Sequence, residues 1–517
     1  MKPVTIALLA VCVAVWVSIE ALTAAGSCES LSALKLPDTA ITMAQSVAAG
    51  GFSSPAAGGG GQAFSTLPAF CRVAATITPT PDSDINVEVW LPASGWNGKY
   101  QAVGNGGWAG SLAYAAMARA LRGGYATSST DTGHTGGSAS FALGHPEKLI
   151  DYAYRSVHEM TVKSKAVATA FYGTGATRSY FNGCSTGGRQ ALVEAQRFPN
   201  DFDGIVSGAA ANPKSGLDAW RIWMTQAMLK NQASFIPQEK HRVIHQAVLD
   251  ACDGLDGVKD GLIENPTRCR FDPAVLACRG ADGPSCLTAA QLEAAKVVMS
   301  PVKNRHTGEL IFPGFEPGTE LGWTRMLSGP DPYVNALEQF KYIVFKDPKW
   351  DWRTFDLERD LAAAEKAGQD TLAAVDPNLT AFAQHGGKLI MYHGWSDPSI
   401  APQASVNFYT RALPATKAPT RGSTWLRLYM VPGMGHCGGG DGPDTFDIMR
   451  ALDSWVDRGT LPQRIEASKI TAGKVIRTRP LCPYPQVARY TGTGSIDEAA
   501  NFTCVAPRSG LRPRSAS

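Results

Sequence analysis

Charge is scarce in this chain of 517 residues: 18% are Asp, Glu, Lys or Arg, and 48 basic against 45 acidic residues leave a formal net charge of +3. With no long block of like charge there is no electrostatic footprint for nucleic acid, and that class of partner is set aside. Past the N-terminus there is no apolar run long enough to cross a bilayer, so no membrane association is expected of the mature protein. Paired C-x-x-C units are missing, which argues against structural zinc. Repeats and low-complexity stretches are missing too, apart from a Gly-rich patch at 58–61 that reads as a flexible loop. What is plentiful is glycine (53), proline (33) and tryptophan (12), in a chain that is 44% hydrophobic. That is too apolar and aromatic for a disordered tail, and long enough for one large domain plus an insertion, or two domains. Such a composition suits a compact extracellular protein acting on a small, partly aromatic or sugar-like molecule.

Lys2 is followed by an apolar run over 4–19 and then by the small residues Ala21, Thr23, Ala24, Ala25 and Gly26. This predicts an export signal over 1–25, cut near Ala25, rather than a membrane anchor, because no basic stop-transfer stretch follows. Secretion or periplasmic export is therefore expected. Of the 11 cysteines, Cys12 lies inside that segment and ten remain. An even number in an exported chain favours disulfides. Proximity in sequence suggests Cys252–Cys269, Cys278–Cys286 and Cys482–Cys504, while Cys28–Cys71 would pin the new N-terminus. Cys184 and Cys437 are left over.

From about residue 71 to 208 strand-like and helix-like segments alternate: strands over 85–91, 100–103 and 179–182, helices over 149–170 and 188–197. The text from 212 to 379 is instead rich in Trp, Pro, Asp and short helical patterns, and strands return at 388–393 and 426–431. The economical division is a first α/β part over 26–211, an inserted region over 212–379 and a second α/β part over 380–517. Alternating strands and helices favour a mostly parallel sheet covered on both faces.

Gly183-Cys184-Ser185-Thr186-Gly187 is a G-x-S-x-G sequence between a strand and a helix. Small residues on either side let the backbone turn tightly and lift the serine hydroxyl above the sheet. A plain Gly-Ser turn is the bland alternative. A serine nucleophile needs a base, and the base needs a carboxylate to orient it. In α/β-hydrolases the acid and the histidine follow on loops after late strands, in that order. Asp397, after the strand 388–393, and His436, after the strand 426–431, fit. Among nine histidines, His145, His158, His241, His245, His306 and His385 read as surface or helix residues. His134 sits in a Gly-rich loop, where ordinary packing is the plainer reading. His393 competes for the role of base, but its place at a strand end reads as pocket lining.

Cys184 directly precedes the candidate nucleophile and Cys437 directly follows the candidate base. If Ser185 and His436 meet, their neighbours can approach the Cα separation of less than about 7 Å that a disulfide needs. A Cys184–Cys437 bridge would tie the two loops together, and the chain-entropy model gives so long a loop roughly 4–5 kcal/mol or a little more, before strain. For the oxyanion, the N–H of Thr186 is one donor, and the Gly-rich loop 104–107 should supply the other, from Gly107. A second cluster lies away from this chemistry. Asp253, Asp256 and Asp260, interleaved with glycines and flanked by Cys252 and Cys269, offer hard oxygen ligands suited to Ca²⁺, with backbone carbonyls completing the shell. A solvated Asp/Gly turn is the alternative.

With Cys184-Ser185, Asp397, His436-Cys437 and the Asp253–Asp260 loop together, the chain resembles the tannase/feruloyl esterase family, which also contains the hydrolase of mono(2-hydroxyethyl) terephthalate. The resemblance runs from Cys28 to Cys504. It implies an α/β-hydrolase fold with a large inserted lid domain, a disulfide joining the active-site loops, and calcium in the lid. It maps the calcium ligands onto the side chains of Asp253, Asp256 and Asp260 and the carbonyls of Val258 and Leu262, and the oxyanion donors onto Gly107 and Thr186. The terephthalate enzyme carries Glu where this chain has Thr186, which leaves phenolic-acid esters ahead. The expected partner is thus a small aromatic ester, free or attached to polysaccharide, cleaved by a secreted serine esterase. Trp108, His393, Trp395 and Ile400 are the pocket candidates, with Trp350 and Trp352 as lid aromatics able to stack on a phenolic ring. The rivals are a tannase or terephthalate monoesterase, a non-catalytic carbohydrate-binding module, and a peptidase on the same fold.

Overall fold

The computed structural model describes residues 26–55, 64–327, 329–368, 371–418 and 424–507, so the segment read as an export signal and the glycine patch at 58–61 lie outside the described residues. The centre is a single nine-stranded sheet. In chain order its strands are β1 (Thr39–Val47), β2 (Phe70–Ile77), β3 (Ile85–Pro92), β4 (Lys99–Val103), β5 (Ala126–Thr130), β6 (Arg178–Cys184) and β7 (Gly204–Gly208). A separate hairpin follows, β8 (Val302–Lys303) with β9 (Leu310–Phe312), and then β10 (Lys388–Gly394) and β11 (Leu426–Val431) complete the sheet. The spatial order is β1-β2-β3-β5-β4-β6-β7-β10-β11. The first three pairs are antiparallel, and every pair from β5 onward is parallel. The parallel arrangement expected from the sequence therefore describes the centre and one edge, but not the N-terminal edge.

Both faces are covered because successive side chains of a strand point to opposite sides. Tyr180 and Phe181, Ile205 and Val206, and Leu389, Ile390, Met391 and Tyr392 alternate between two apolar clusters. The helix expected over 149–170 is in fact three pieces: Pro146–Ile150, a π-helical turn at Asp151–Arg155, and the α-helix Ser156–Tyr172.

Strand β7 lies beside β10, so the sheet is stitched from chain segments on either side of the intervening residues. Those residues carry the helices Lys214–Met228, Gln238–Cys252, Ala289–Met299 and Leu357–Gly368 around cores of their own. One of these cores, around Trp220, Met224 and Trp323, also takes in Ile400, Ala401 and Ala404. The intervening region is thereby docked on the chain just after Asp397. Beyond β11 come β12 (Thr445–Phe446), the helix Ile448–Arg458, β13 (Ile465–Thr471), β14 (Lys474–Leu481), β15 (Val487–Tyr490) and β16 (Phe502–Val505), which form two small sheets the sequence reading does not anticipate. All five expected disulfides are formed: Cys28–Cys71, Cys184–Cys437, Cys252–Cys269, Cys278–Cys286 and Cys482–Cys504. Among the described residues, no helix is long and apolar enough to cross a membrane.

Candidate active site

Strand β6 ends at Cys184 and the helix Thr186–Arg197 begins at the next residue but one, so Ser185 alone turns the chain. Its φ of +63° and ψ of −120° lie where a residue with a side chain costs on the order of 1–3 kcal/mol. The turn is held from several sides. The Ser185 N–H donates to the carbonyl of Gly208 at 3.0 Å, and the Ser185 carbonyl accepts from the N–H groups of Arg189 and Ala211, each at 3.0 Å. The flanking glycine follows from the same geometry, because a Cβ at Gly183 would sit 2.4 Å from the carbonyl oxygen of Gly187.

Asp397, on the loop after β10, is fully buried. Its Oδ1 accepts the N–H groups of Ser399 (2.7 Å) and Ile400 (3.1 Å), and its Oδ2 faces His436 Nδ1 (2.7 Å) and His393 Nε2 (3.0 Å). Burial works against the charge, but the attraction of His436 and the hydrogen bonds from both imidazoles outweigh it and hold the carboxyl well below the usual range. An ionised carboxylate only accepts, so both imidazoles donate to it. His436 is left with a free lone pair on Nε2. His393 accepts the Ser405 hydroxyl at its Nδ1, 2.8 Å away.

Ser185 and His436 line one cavity of about 290 Å³, together with Gly106, Gly107, Thr186 and the Cys184–Cys437 bridge. That bridge, with Cα atoms 6.0 Å apart, joins the two loops across 253 residues of sequence. The chain twists sharply at both loops: Cys437, like Ser185, has φ near +63°. Thr186 is the first residue of its helix, so its N–H has no intrahelical acceptor and sits at the positive end of the helix dipole.

The intervening region closes the cavity with Lys214, Arg221, Arg325, Tyr333 and Asn335. Lys214 pairs with the buried Asp218 and donates to Gln339 Oε1 at 2.9 Å, with its ammonium 4.2 Å from the Trp108 ring centre. Burial pulls its pKa down to about 8, against the opposing pull of Asp218. Arg221 donates to the other oxygen of Asp218 at 2.9 Å and to the carbonyl of Ser399 at 2.7 Å. One carboxylate thus balances two cations. Sequence reasoning missed these residues, although Lys214, Asp218 and Arg221 stand at i, i+4 and i+7, the spacing that places groups on one helix face.

The pocket candidates need correcting, since Trp108, His393, Trp395 and Ile400 do not line the cavity. His393 lies behind Asp397 and is fully buried. Trp395 packs into the core under the sheet, and Ile400 into that of the intervening region, contributing its N–H to Asp397 instead of its side chain to the pocket. Trp108 is one layer removed, beneath Lys214. Trp350 stacks on Phe340 and Phe345, and Trp352 packs in the same core with its indole N–H on Asp331. His134 packs on Phe141 and contacts the carbonyl of Trp108, as loop packing predicts.

The aspartate loop lies apart from this cavity, docked through Val258 onto the C-terminal strands beside Cys482 and Phe502. Its carboxylates are turned onto the loop's own backbone: Asp253 accepts from Asp260 and Gly261, Asp256 from Val258, and Asp260 from Leu262, while Arg479 pairs with Asp260. Burial and the nearby Asp260 and Asp253 push Asp256 up to about 6. Among the described residues, the side chains whose potential ligand atoms gather most tightly are Cys278, Asp282 and Cys286, but those sulfurs are bonded to each other.

The sheet order and the placing of serine, carboxylate and imidazole on the loops after β6, β10 and β11 define an α/β-hydrolase. Within that class the chain belongs to the tannase and feruloyl esterase family, whose sequence profile matches residues 71–505. It is 38% identical to an uncharacterized esterase of Xanthomonas campestris over 93% of this chain and 92% of that one. Against feruloyl esterase B of Aspergillus niger the identity is 35%, covering 84% of this chain and 86% of the relative. The crystal structure of feruloyl esterase B from Aspergillus oryzae superposes with a TM-score of 0.87 at 31% identity, over 92% of this chain and 99% of that one. The chain is a carboxylic ester hydrolase of the feruloyl esterase/tannase type.

Proposed function

We propose that this enzyme is an exported serine esterase that cleaves esters of phenolic acids through an acyl-enzyme on Ser185. Ser185 Oγ attacks the ester carbonyl while His436 Nε2 takes its proton, Asp397 holds the imidazole and stabilises its charged form, and the N–H groups of Gly107 and Thr186 receive the oxyanion. His436 then protonates the leaving alcohol, and water activated by the same histidine releases the acid. The observation that carries this reading is the 2.7 Å bond from His436 Nδ1 to Asp397, which leaves Nε2 available on a cavity shared with Ser185. Five disulfides and the apolar N-terminal run support export. The choice of phenolic acids rests on the relatives, which are named feruloyl esterases.

One observation favours a second substrate: an ester carrying its own carboxylate. Among the described residues the cavity is lined by Lys214, Arg221 and Arg325 and by no Asp or Glu. The two readings separate on kcat/KM for methyl ferulate, methyl gallate, monomethyl terephthalate and the neutral dimethyl terephthalate. We expect methyl ferulate to lead and Arg325→Gln to change its kcat/KM by less than about threefold, because an exposed cation adds little to a neutral ligand. A monoester that outruns both methyl ferulate and its own diester, with a preference that Arg325→Gln removes, establishes the second substrate instead.

The aspartate loop is proposed to hold structural calcium through the carboxylates of Asp253, Asp256 and Asp260 and the carbonyls of Val258 and Leu262. The donor set is all hard oxygen. The crowding of negative charge supports it, since burial also pushes the nearby Glu264 up to about 8, with Asp256 and Asp260 adding to the rise and Arg479 opposing it. Chelation is expected to lower the thermal midpoint by about 2–4 °C, reversed by added Ca²⁺, on the scale of a ligand present at several hundred times its Kd. No bound metal by elemental analysis, together with no shift, removes this part of the proposal.

A further inference from the structure

We propose that Tyr152 is a positioning residue for the oxyanion loop, its hydroxyl anchoring the Gly107 carbonyl and so pinning from one side the residue whose N–H is presented to the reacting ester. This rests on the reading of Gly107 as an oxyanion donor. The loop needs such a device. Gly106 and Gly107 lack side chains, and Gly107 has φ +55°, so the backbone there is free to rotate unless something fixes it. A rotation that brought a carbonyl oxygen round to the cavity would set a partial negative charge where the reaction develops a full one.

Two hydroxyls oppose that rotation. Tyr152 donates to the Gly107 carbonyl at 2.6 Å and Thr186 Oγ1 donates to the same oxygen at 3.0 Å, so both of its lone pairs are engaged. The next carbonyl, of Trp108, is held by His134 Nε2 at 2.8 Å, and the Trp108 indole N–H donates to the Asn335 carbonyl at 3.0 Å. Tyr152 itself has little freedom. It is fully buried, its ring lies 4.8 Å from that of Trp108, and the buried Arg189 guanidinium sits 5.2 Å from the centre of its ring. It also belongs to the π-helical turn Asp151–Arg155, a widened helical turn of a kind found often at functional sites. Arg189, from the helix that Ser185 opens, donates to the carbonyl of Ala153 in that turn at 3.1 Å. Nucleophile helix, π-turn and oxyanion loop are thereby linked through one phenol.

The test is Tyr152→Phe, which keeps the ring and removes only the donor. Loss of a whole oxyanion donor costs about 10²–10³-fold in kcat, so loosening one is expected to lower kcat for methyl ferulate by about 10–100-fold with KM within about threefold. Affinity for an aryl boronic acid, which forms a tetrahedral anionic adduct on a serine, should weaken by a similar factor, while affinity for the planar product ferulate stays unchanged. Both affinities are read on folded protein, so partial loss of fold mimics neither result. A kcat within about twofold of the parent, or equal weakening of boronic acid and ferulate, overturns the proposal. Labelling of parent Ser185 by a fluorophosphonate keeps the two readings distinct. If Ser185 is not labelled, the nucleophile assignment fails; if it is labelled and Tyr152→Phe is silent, only the role of Tyr152 fails.

Discussion

Ser185→Ala is expected to lower kcat by about five to six orders of magnitude, the scale seen when the nucleophile of a serine hydrolase is removed, and to leave the fold as it is. The second half follows from the backbone. At φ +63° the cost comes from having a Cβ, and alanine has the same Cβ as serine, so the turn is neither relieved nor further strained. Its hydrogen bonds to Gly208, Arg189 and Ala211 are all made by main-chain atoms and survive the change. Ser185→Gly should be equally inactive but more stable, by about 1 kcal/mol or more, because glycine occupies that region without penalty. Activity assays with methyl ferulate and thermal midpoints for the two variants check both statements. Retention of more than about one per cent of kcat by Ser185→Ala would place the nucleophile elsewhere.

The nucleophile turn was legible because its chemistry and its sterics make the same demand. A strand that must hand over to a helix within one residue needs glycine at 183, where the Gly187 carbonyl leaves no room for a Cβ. The sequence therefore shows the turn as plainly as the structure does. The cavity walls were not legible, because Arg325, Tyr333 and Asn335 come from short helices and a loop, and the approach of these and of the helix carrying Lys214 and Arg221 is set by tertiary packing. His393 is an intermediate case. Its position at the end of β10 suggested pocket lining, yet simple alternation puts residue 393 on the same side as Leu389 and Met391, which pack with Val406, Phe408 and Tyr409 of the helix Gln403–Ala415. Counting by twos from Leu389 would have directed His393 beneath the sheet, toward Ser405.

The edges of the fold were illegible for a related reason. β1 is a half-exposed edge strand whose residues Thr39–Val47 show no clean apolar alternation, and β12 is only two residues long. Neither buries enough to leave a periodic trace in the sequence. The central strands do, since their residues face an apolar cluster on one side or the other. The disulfides fall between these extremes. Local pairs such as Cys278–Cys286 can be read from proximity, but Cys184–Cys437 is visible only once a catalytic hypothesis says that their neighbours must meet.

Asp397→Asn is expected to lower kcat by about 10⁴-fold with KM little changed, through the tautomer of His436 more than through lost charge. The carboxylate receives four donors, and an amide can satisfy only half of them. Its Oδ1 side faces two backbone N–H groups, of Ser399 and Ile400, which cannot become acceptors. The asparagine oxygen is therefore drawn to that side and its NH₂ is left facing His436 Nδ1 and His393 Nε2. Two donors then confront two donors, and the conflict ends only if the imidazoles move their protons to their other nitrogens. For His436 that puts the proton on Nε2, where the lone pair is needed to accept from Ser185. The substitution should also lower stability at neutral pH. A carboxyl held below its usual range stabilises the fold at pH values above its unfolded pKa, and this contribution fades as the pH falls through the folded one. The stability gap between parent and Asp397→Asn should therefore narrow on strong acidification. A tenfold or smaller loss of kcat, with the His436 Nδ1 proton still seen by NMR, would detach Asp397 from the reaction.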